Sequence, residues 1–446
     1  MSELRAPVAA PTGAWNVARQ LGPGLILTSI IVGSGELIVT PKLGASSGFQ
    51  LLWFIVLACL LKVFVQVELG RHAVAHGQTT LAALDGLPGP RLRVSWVLWL
   101  WLLMYVSLVF QVAGMVGGLA SVFSLAGLPL PVPATAILVG LSCAILLVVG
   151  RYRLVEAVST LLVAAFTITT MVAVIALQGT PYAVTSAQLV DGFRFHLPPS
   201  FNVAFAAFGI IGVGASELIY YPYWCLEKGY ARRVGPNDHS AAWGERARGW
   251  LRILKIDAAL SFALYTSATV AFYVLGAAIL HGKGLSVENA NMIETLSHMY
   301  RETFGQWSLW VFLAGAFAVL YSTVFGATAS NARLFADALE VFGLRRYETP
   351  EERTRMVRLG SILLPVAFTS VFLAFGNPVS LVFVGAVGQG LMLPFLAFAA
   401  LHFHYFQTDP ALRVGRIFTT CLVISAVAIS AAGAYQVAQQ LRALLP

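Results

Sequence analysis

Apolar residues along this chain come in long unbroken blocks, not in the alternation of a sheet or the one-sided stripe of a surface helix. Blocks near residues 21–43, 48–70, 95–124, 131–150, 155–178, 201–224, 254–280, 307–332, 357–375, 378–403 and 417–441 each approach the ~20 residues that carry a helix across a bilayer. They predict eleven membrane-spanning helices. Between them lie clusters such as GLPGPRLR (86–93), GPND (235–238) and RRYETPEER (345–353), which break helical geometry or demand water. The first 20 residues hold Arg5 and Arg19 but no short apolar core before a small-residue cleavage site, so no cleavable signal peptide is expected.

Composition agrees with this reading. Of 446 residues, 58% are hydrophobic and 11% charged, with a mean hydropathy of +0.79, far from the roughly half apolar, quarter charged balance of a soluble domain. A water-soluble enzyme is excluded. The 28 bases against 20 acids leave a net charge of +8, which suits either a nucleic acid or a membrane surface. Their placement decides: 22 fall in the amino terminus and the loops after helices 2, 4, 6, 8 and 10. Only Lys42, Arg194, Lys283, Arg301 and Arg442 fall on the other side, and Lys62 lies inside helix 2. This is the positive-inside pattern. It predicts a multi-pass protein of the cell membrane with its amino terminus cytosolic and its carboxyl terminus outside, the lipid bilayer as its surroundings and no nucleic-acid partner. Cys59, Cys143, Cys225 and Cys421 show no CxxC spacing and read as core residues.

A near-repeat stands out. Val32-Gly33-Ser34-Gly35-Glu36-Leu37-Ile38 recurs 181 residues later as Val213-Gly214-Ala215-Ser216-Glu217-Leu218-Ile219, identical at five of seven positions. The copies lie in helices 1 and 6, which run in opposite directions when five spans separate their starts. The chain therefore reads as an all-α membrane domain of two inverted five-helix repeats, about 21–178 and 201–403, with an extra helix at about 417–441. Small residues of weak helix propensity let each helix unwind at the motif, and such a break is tolerated in a bilayer only where it lines a cavity or is buried in protein. Unwinding exposes one half-helix amino terminus, which favours anions, and one carbonyl end, which favours cations. Close packing of small residues is the competing account, and the duplication at matching places argues against it. Glu36 and Glu217 cost a few kcal/mol each near the bilayer centre, which points to a pathway or coupling ion; a protonated, structurally hydrogen-bonded glutamate is the alternative.

At these residues the chain resembles the natural-resistance-associated macrophage protein (NRAMP) family of proton-coupled metal transporters. Further stretches carry the resemblance: GPGLILTSIIVGSGE (22–36), GLASVFSLAGLPLPV (118–132), GRYRLVEA (150–157), FGATASNARLFADAL (325–339) and LMLPFLAFAAL (391–401). It implies the LeuT-type inverted-repeat fold with helices 1 and 6 broken. It does not carry the metal chemistry. The family's Asp-Pro-Gly-Asn falls on Gly33-Ser34-Gly35-Glu36, its Met-Pro-His falls within a residue on Ser216-Glu217-Leu218, and the acidic pair of its helix 3 falls on Gln111 and Gly114. The ligating aspartate, the soft thioether that suits transition metals and the histidine are absent.

Three functions compete. Secondary transport of a small anion, bicarbonate or a short carboxylate, would use backbone N–H groups of Gly33, Ser34, Gly35, Gly214, Ala215 and Ser216, with Glu36 and Glu217 holding Na⁺ or a proton. A hard divalent cation such as Mg²⁺ would use the two glutamates and the serine hydroxyls. The exchange of Asp for Gly at position 33 removes charge where cargo would sit and favours the anion. An intramembrane enzyme or a receptor is the remote third, because no HExxH, nucleophile elbow, P-loop or zinc spacing occurs; no cofactor or resident metal is expected. Tyr220 and Tyr221, with Tyr223 and Trp224, are either a gate beyond the helix 6 break or an interfacial aromatic belt. Gln389 is a candidate for lining the path from helix 10. His402 and His404 point to different helix faces and read as interfacial residues.

Overall fold

In the computed structural model, residues 7–150, 152–197, 201–288 and 291–444 are described. Among them the backbone is helical almost throughout, apart from a two-stranded antiparallel ribbon, β1 (Arg91–Leu92) and β2 (Val94–Ser95), that turns the chain between spans. Helix 1 comes in two pieces: α1 (Pro23–Ile31), then a π-helical segment (Ser34–Val39) that runs into α2 (Thr40–Ser47). There follow α3 (Leu52–His76), α4 (Trp96–Leu125), α5 (Val132–Val148) and α6 (Tyr152–Ala176). Helix 6 is likewise divided, into α7 (Phe201–Ile210) and α8 (Ala215–Glu227). The remainder is α9 (Ala241–Leu275), α10 (Met292–Phe304), α11 (Ser308–Val341), α12 (Pro350–Phe375), α13 (Pro378–Phe406) and α14 (Arg416–Leu444).

Every expected apolar block is helical. Among the described residues ten stretches are long and apolar enough to cross a membrane, counting each broken helix as one, and the eleventh block is the 17-residue α5. A bilayer enforces this outcome, since only a helix satisfies its own backbone groups without water. Two helices outrun their apolar blocks into water: α9 starts at a Ser240 cap whose Oγ accepts the Trp243 N–H, and α12 starts at a Thr349 cap whose side chain accepts the Glu352 N–H. The amphipathic α10 between spans tucks Ile293, Leu296 and Tyr300 inward.

The broken helices form the centre. Their apolar windows are 88% and 94% buried inside the protein, against 28% for the last span. α1 packs on α8, α9 and α11, while α13 lies along α4 and α7. This is the LeuT-type arrangement of five plus five helices and one more, with helices 1 and 6 interrupted. The interruptions sit slightly earlier than the motif predicts. In helix 1 the chain leaves helical geometry at Val32 and Gly33 and is π-helical again from Ser34; in helix 6 residues 211–214 are non-helical and Ala215 and Ser216 already belong to α8.

Candidate functional site

At the first break Gly33 adopts φ −143°, ψ −115°, and a Cβ there would overlap the Thr323 side chain of α11. The end of α1 meets two hydroxyls of α11: Ser322 Oγ stands 3.1 Å from Ser29 O and Thr323 Oγ1 3.0 Å from Ile30 O, each also 2.9 Å from Val319 O, so the single proton of each serves either carbonyl. At the second break Gly212 takes φ +62°, a left-handed turn that glycine permits at little cost. Its N–H donates to Glu36 Oε1 at 3.0 Å. The side chain of the first repeat thus caps the unwound backbone of the second. The Thr269 hydroxyl stands 3.0 Å from the same oxygen and 2.7 Å from Tyr265 O, so its one proton serves either. Glu36 is fully buried and its Oε2 has no hydrogen-bond partner.

Glu217 is placed differently. Lying in the first turn of α8, its carboxylate folds over the helix start towards Gly214 and reaches the wall of a cavity between the breaks. That cavity, about 20 Å³, is lined by Gly35, Gln111, Ser216, Glu217, Tyr220 and Thr323 among apolar neighbours, and holds roughly one water-sized occupant.

A chain of amides crosses the site. The N–H and the hydroxyl of Ser216 both donate to Gln389 Oε1, at 2.9 and 3.0 Å, and Gln389 Nε2 donates to Gln111 Oε1 at 2.8 Å. The direction is forced by the backbone N–H, which can only donate; each amide in turn accepts on oxygen and passes a donor on. Gln111, which accepts from Gln389, lies in the cavity wall.

The structure brings Gly35, Ser216, Glu217 and Tyr220 together around the cavity, with Gln389 behind them. Gly33 and Gly214 are close-approach points: a Cβ at Gly214 would come within 2.5 Å of Glu217 Oε2. Ala215 is buried in the first turn of α8, and the Ser34 side chain lies outside the described residues. The aromatic run after the break is no interfacial belt. Tyr220, Tyr221, Tyr223 and Trp224 are all buried, because this part of helix 6 is surrounded by protein. Tyr220 donates to Asn331 Oδ1 at 2.9 Å beside the cavity. Tyr221 faces away and reaches Asp257 Oδ2 at 3.1 Å. Asp257 in turn accepts the Gly22 and Gly24 N–H groups, at 2.9 and 2.6 Å, at the start of α1. His402 stacks near Phe406, and His404 lies 3.4 Å from the buried Glu68 and 3.0 Å from Thr419 Oγ1. His404 thus joins a polar cluster with the buried Glu68 and Arg71. Cys59, Cys143 and Cys225 are buried free thiols. Among the described residues, no group of three His, Cys, Asp or Glu is placed to hold a metal ion.

Sequence reasoning missed Lys62, Asp257, Thr269 and the part played by Gln111. Lys62 and Asp257 had a signal, each being a charge inside an apolar block. Thr269 had none.

Two inverted five-helix halves with facing breaks, each carrying a buried carboxylate, define a LeuT-type secondary transporter. Comparison with known proteins narrows this. The family described as natural resistance-associated macrophage protein-like matches residues 24–439, and the chain belongs to it; it is a membrane transporter, not an enzyme. An uncharacterized protein of Pasteurella multocida is 26% identical over 390 residues, 84% of this chain and 81% of its own length. The divalent metal cation transporter MntH of Mycobacterium tuberculosis is 26% identical over 373 residues, 80% of each chain. Among solved structures, a mutant of the Eremococcus coleocola manganese transporter superposes with a TM-score of 0.71 at 15% identity, covering 99% of this chain and 91% of that one. Mhp1, a nucleobase-cation-symport-1 family transporter in a closed conformation, gives 0.59 at 14% identity, covering 97% and 96%.

Proposed function

We propose that this protein is a secondary-active transporter of a small anion, bicarbonate or a short carboxylate. The amide chain from Ser216 through Gln389 to Gln111 carries the reading: it walls the cavity with neutral amides, where a dication gathers charged oxygen ligands. The starts of the Ser34–Val39 segment and of α8 add first-turn N–H groups; Gly33, Ser34, Gly35, Gly214, Ala215 and Ser216 form the anion cradle once the Gly33 N–H leaves Ile31 O and the Ser216 N–H leaves Gln389. Glu36 and Glu217 act as the coupled acids that hold a co-transported cation or proton, and Tyr220 gates the cavity. The two repeats divide at about 178 and 201.

A hard divalent cation is the second reading. It is favoured by the unpartnered Glu36 Oε2 and the Glu217 carboxylate at the cavity wall, and by the divalent-metal and manganese transport named for the Mycobacterium and Eremococcus relatives. Proteoliposome uptake of labelled bicarbonate, acetate, Mg²⁺ and Mn²⁺, each with and without a Na⁺ or pH gradient, separates the two. Saturable anion uptake lost in a Gln111→Glu variant is expected. Saturable Mn²⁺ or Mg²⁺ uptake that depends on Glu36 and Glu217, with no anion transported, returns the protein to the metal carriers. The asymmetry of basic residues supports a cytosolic amino terminus; a reporter fused after Pro446 is expected to read outside the cell, and a cytosolic signal reverses the topology.

A further inference from the structure

Lys62 sits in the middle of α3 with no accessible surface. Its ammonium donates to Phe208 O at 2.8 Å and also to Ile211 O. It lies 5.1 Å from the centre of the Phe208 ring. It forms no ion pair among the described residues, although Glu36 and Glu217 are within electrostatic reach. Phe208 lies in the last turn of α7 and Ile211 is the first residue past it, where the last carbonyls of a helix have no partner of their own and the dipole is negative.

That location has a chemical meaning in a broken-helix transporter. Carbonyls at the end of a half-helix, beside the substrate site, are where such folds coordinate a free coupling cation. Here the positive charge is covalently attached. The donors of this lysine go to backbone oxygens at the break and not to a carboxylate.

We propose that the carboxyl end of α7 is a monovalent-cation site that this chain fills with its own Lys62 ammonium, so that no free Na⁺ or K⁺ is taken up there during transport. Removing the side chain beyond Cβ should recreate an empty site. The atoms lost in Lys62→Ala are those of propylammonium, which makes chemical rescue a direct probe. The proposal does not depend on which cargo is carried.

The test uses the full-length protein in detergent, with the apparent melting temperature followed at one scan rate in choline chloride, NaCl, KCl, propylammonium chloride or n-propanol. Lys62→Ala is expected to melt lower than wild type by roughly 5 °C and to be raised, saturably, by Na⁺, K⁺ or propylammonium beyond any response of wild type, as binding to the folded state requires. Propanol, which fills the space without charge, should not raise it. Rescue by propanol equal to that by propylammonium, or a cation response no larger than that of wild type, overturns the proposal. If Lys62→Ala does not fold, Lys62→Arg and Lys62→Met decide. The charged variant should melt within a few degrees of wild type and the neutral one well below it. Equal melting of the two shows that the site needs volume and not a cation.

Discussion

The two helix breaks begin from nearly the same seven residues and end as different devices. In helix 1 the interruption is two residues long and recovers as a π-helical segment; in helix 6 it spans four residues and needs a left-handed Gly212. Glu36 leaves its own helix and binds the backbone of the other break, whereas Glu217 stays over the start of α8 and reaches the cavity. The first carboxylate holds the halves together, and the second faces the space where cargo would pass. An inverted repeat places equivalent residues at equivalent depths, but each meets a different neighbour. Glu36 meets α9 through Thr269, while the start of α8 meets α13 through Gln389.

The largest effect expected from breaking this comparison comes at Gly33. Gly33→Val drives a side chain into Thr323 and should cost about 1–3 kcal/mol in stability, with uptake falling below detection. Thr323→Ala in the same chain should return part of both. No loss of melting temperature or uptake in Gly33→Val would show that the two helices are not in close contact there.

Next come the two acids. Glu36→Ala removes the acceptor for Gly212 N–H and should destabilise the protein by roughly 1–3 kcal/mol, the cost of leaving a buried donor unsatisfied. Glu217→Gln should melt like wild type and still lose transport. The same melting loss in both would erase the distinction between brace and cavity group. A smaller effect is expected at the amide chain. Gln389→Leu strands the Ser216 N–H and should weaken cargo binding by about tenfold, equivalent to a loss of 1.4 kcal/mol, with unchanged affinity counting against the relay. The smallest separates the paired tyrosines: Tyr221→Phe should cost about 1 kcal/mol of stability and leave uptake near wild type, while Tyr220→Phe lowers uptake without changing the melting point.

Much of the scaffold was legible beforehand. Eleven apolar blocks, the punctuation between them, the duplicated motif and the buried glutamates follow from the bilayer's demand that backbone groups bond internally and that intramembrane charge be rare. The break positions were displaced by up to a few residues, because local propensity marks where a helix can open and packing decides where it does. At Gly33 the opening is set by Thr323, and at Gly212 by the incoming Glu36 carboxylate and Cys59.

The chain sequence by itself determined the class of molecule, the number of apolar spans, the two interrupted helices and the acids at their breaks. All of these are written in runs of neighbouring residues and in the cost of placing polarity in hydrocarbon. Only the tertiary structure decided that Glu36 caps the opposite repeat, that Lys62 closes the end of α7, that three residues from helices 3, 6 and 10 form one directed amide chain, and that the tyrosines after the second break are buried. Those pairings join positions more than 100 residues apart in sequence. Hydrogen-bond direction and burial are properties of the partners that meet in space, and no local pattern in the chain names them.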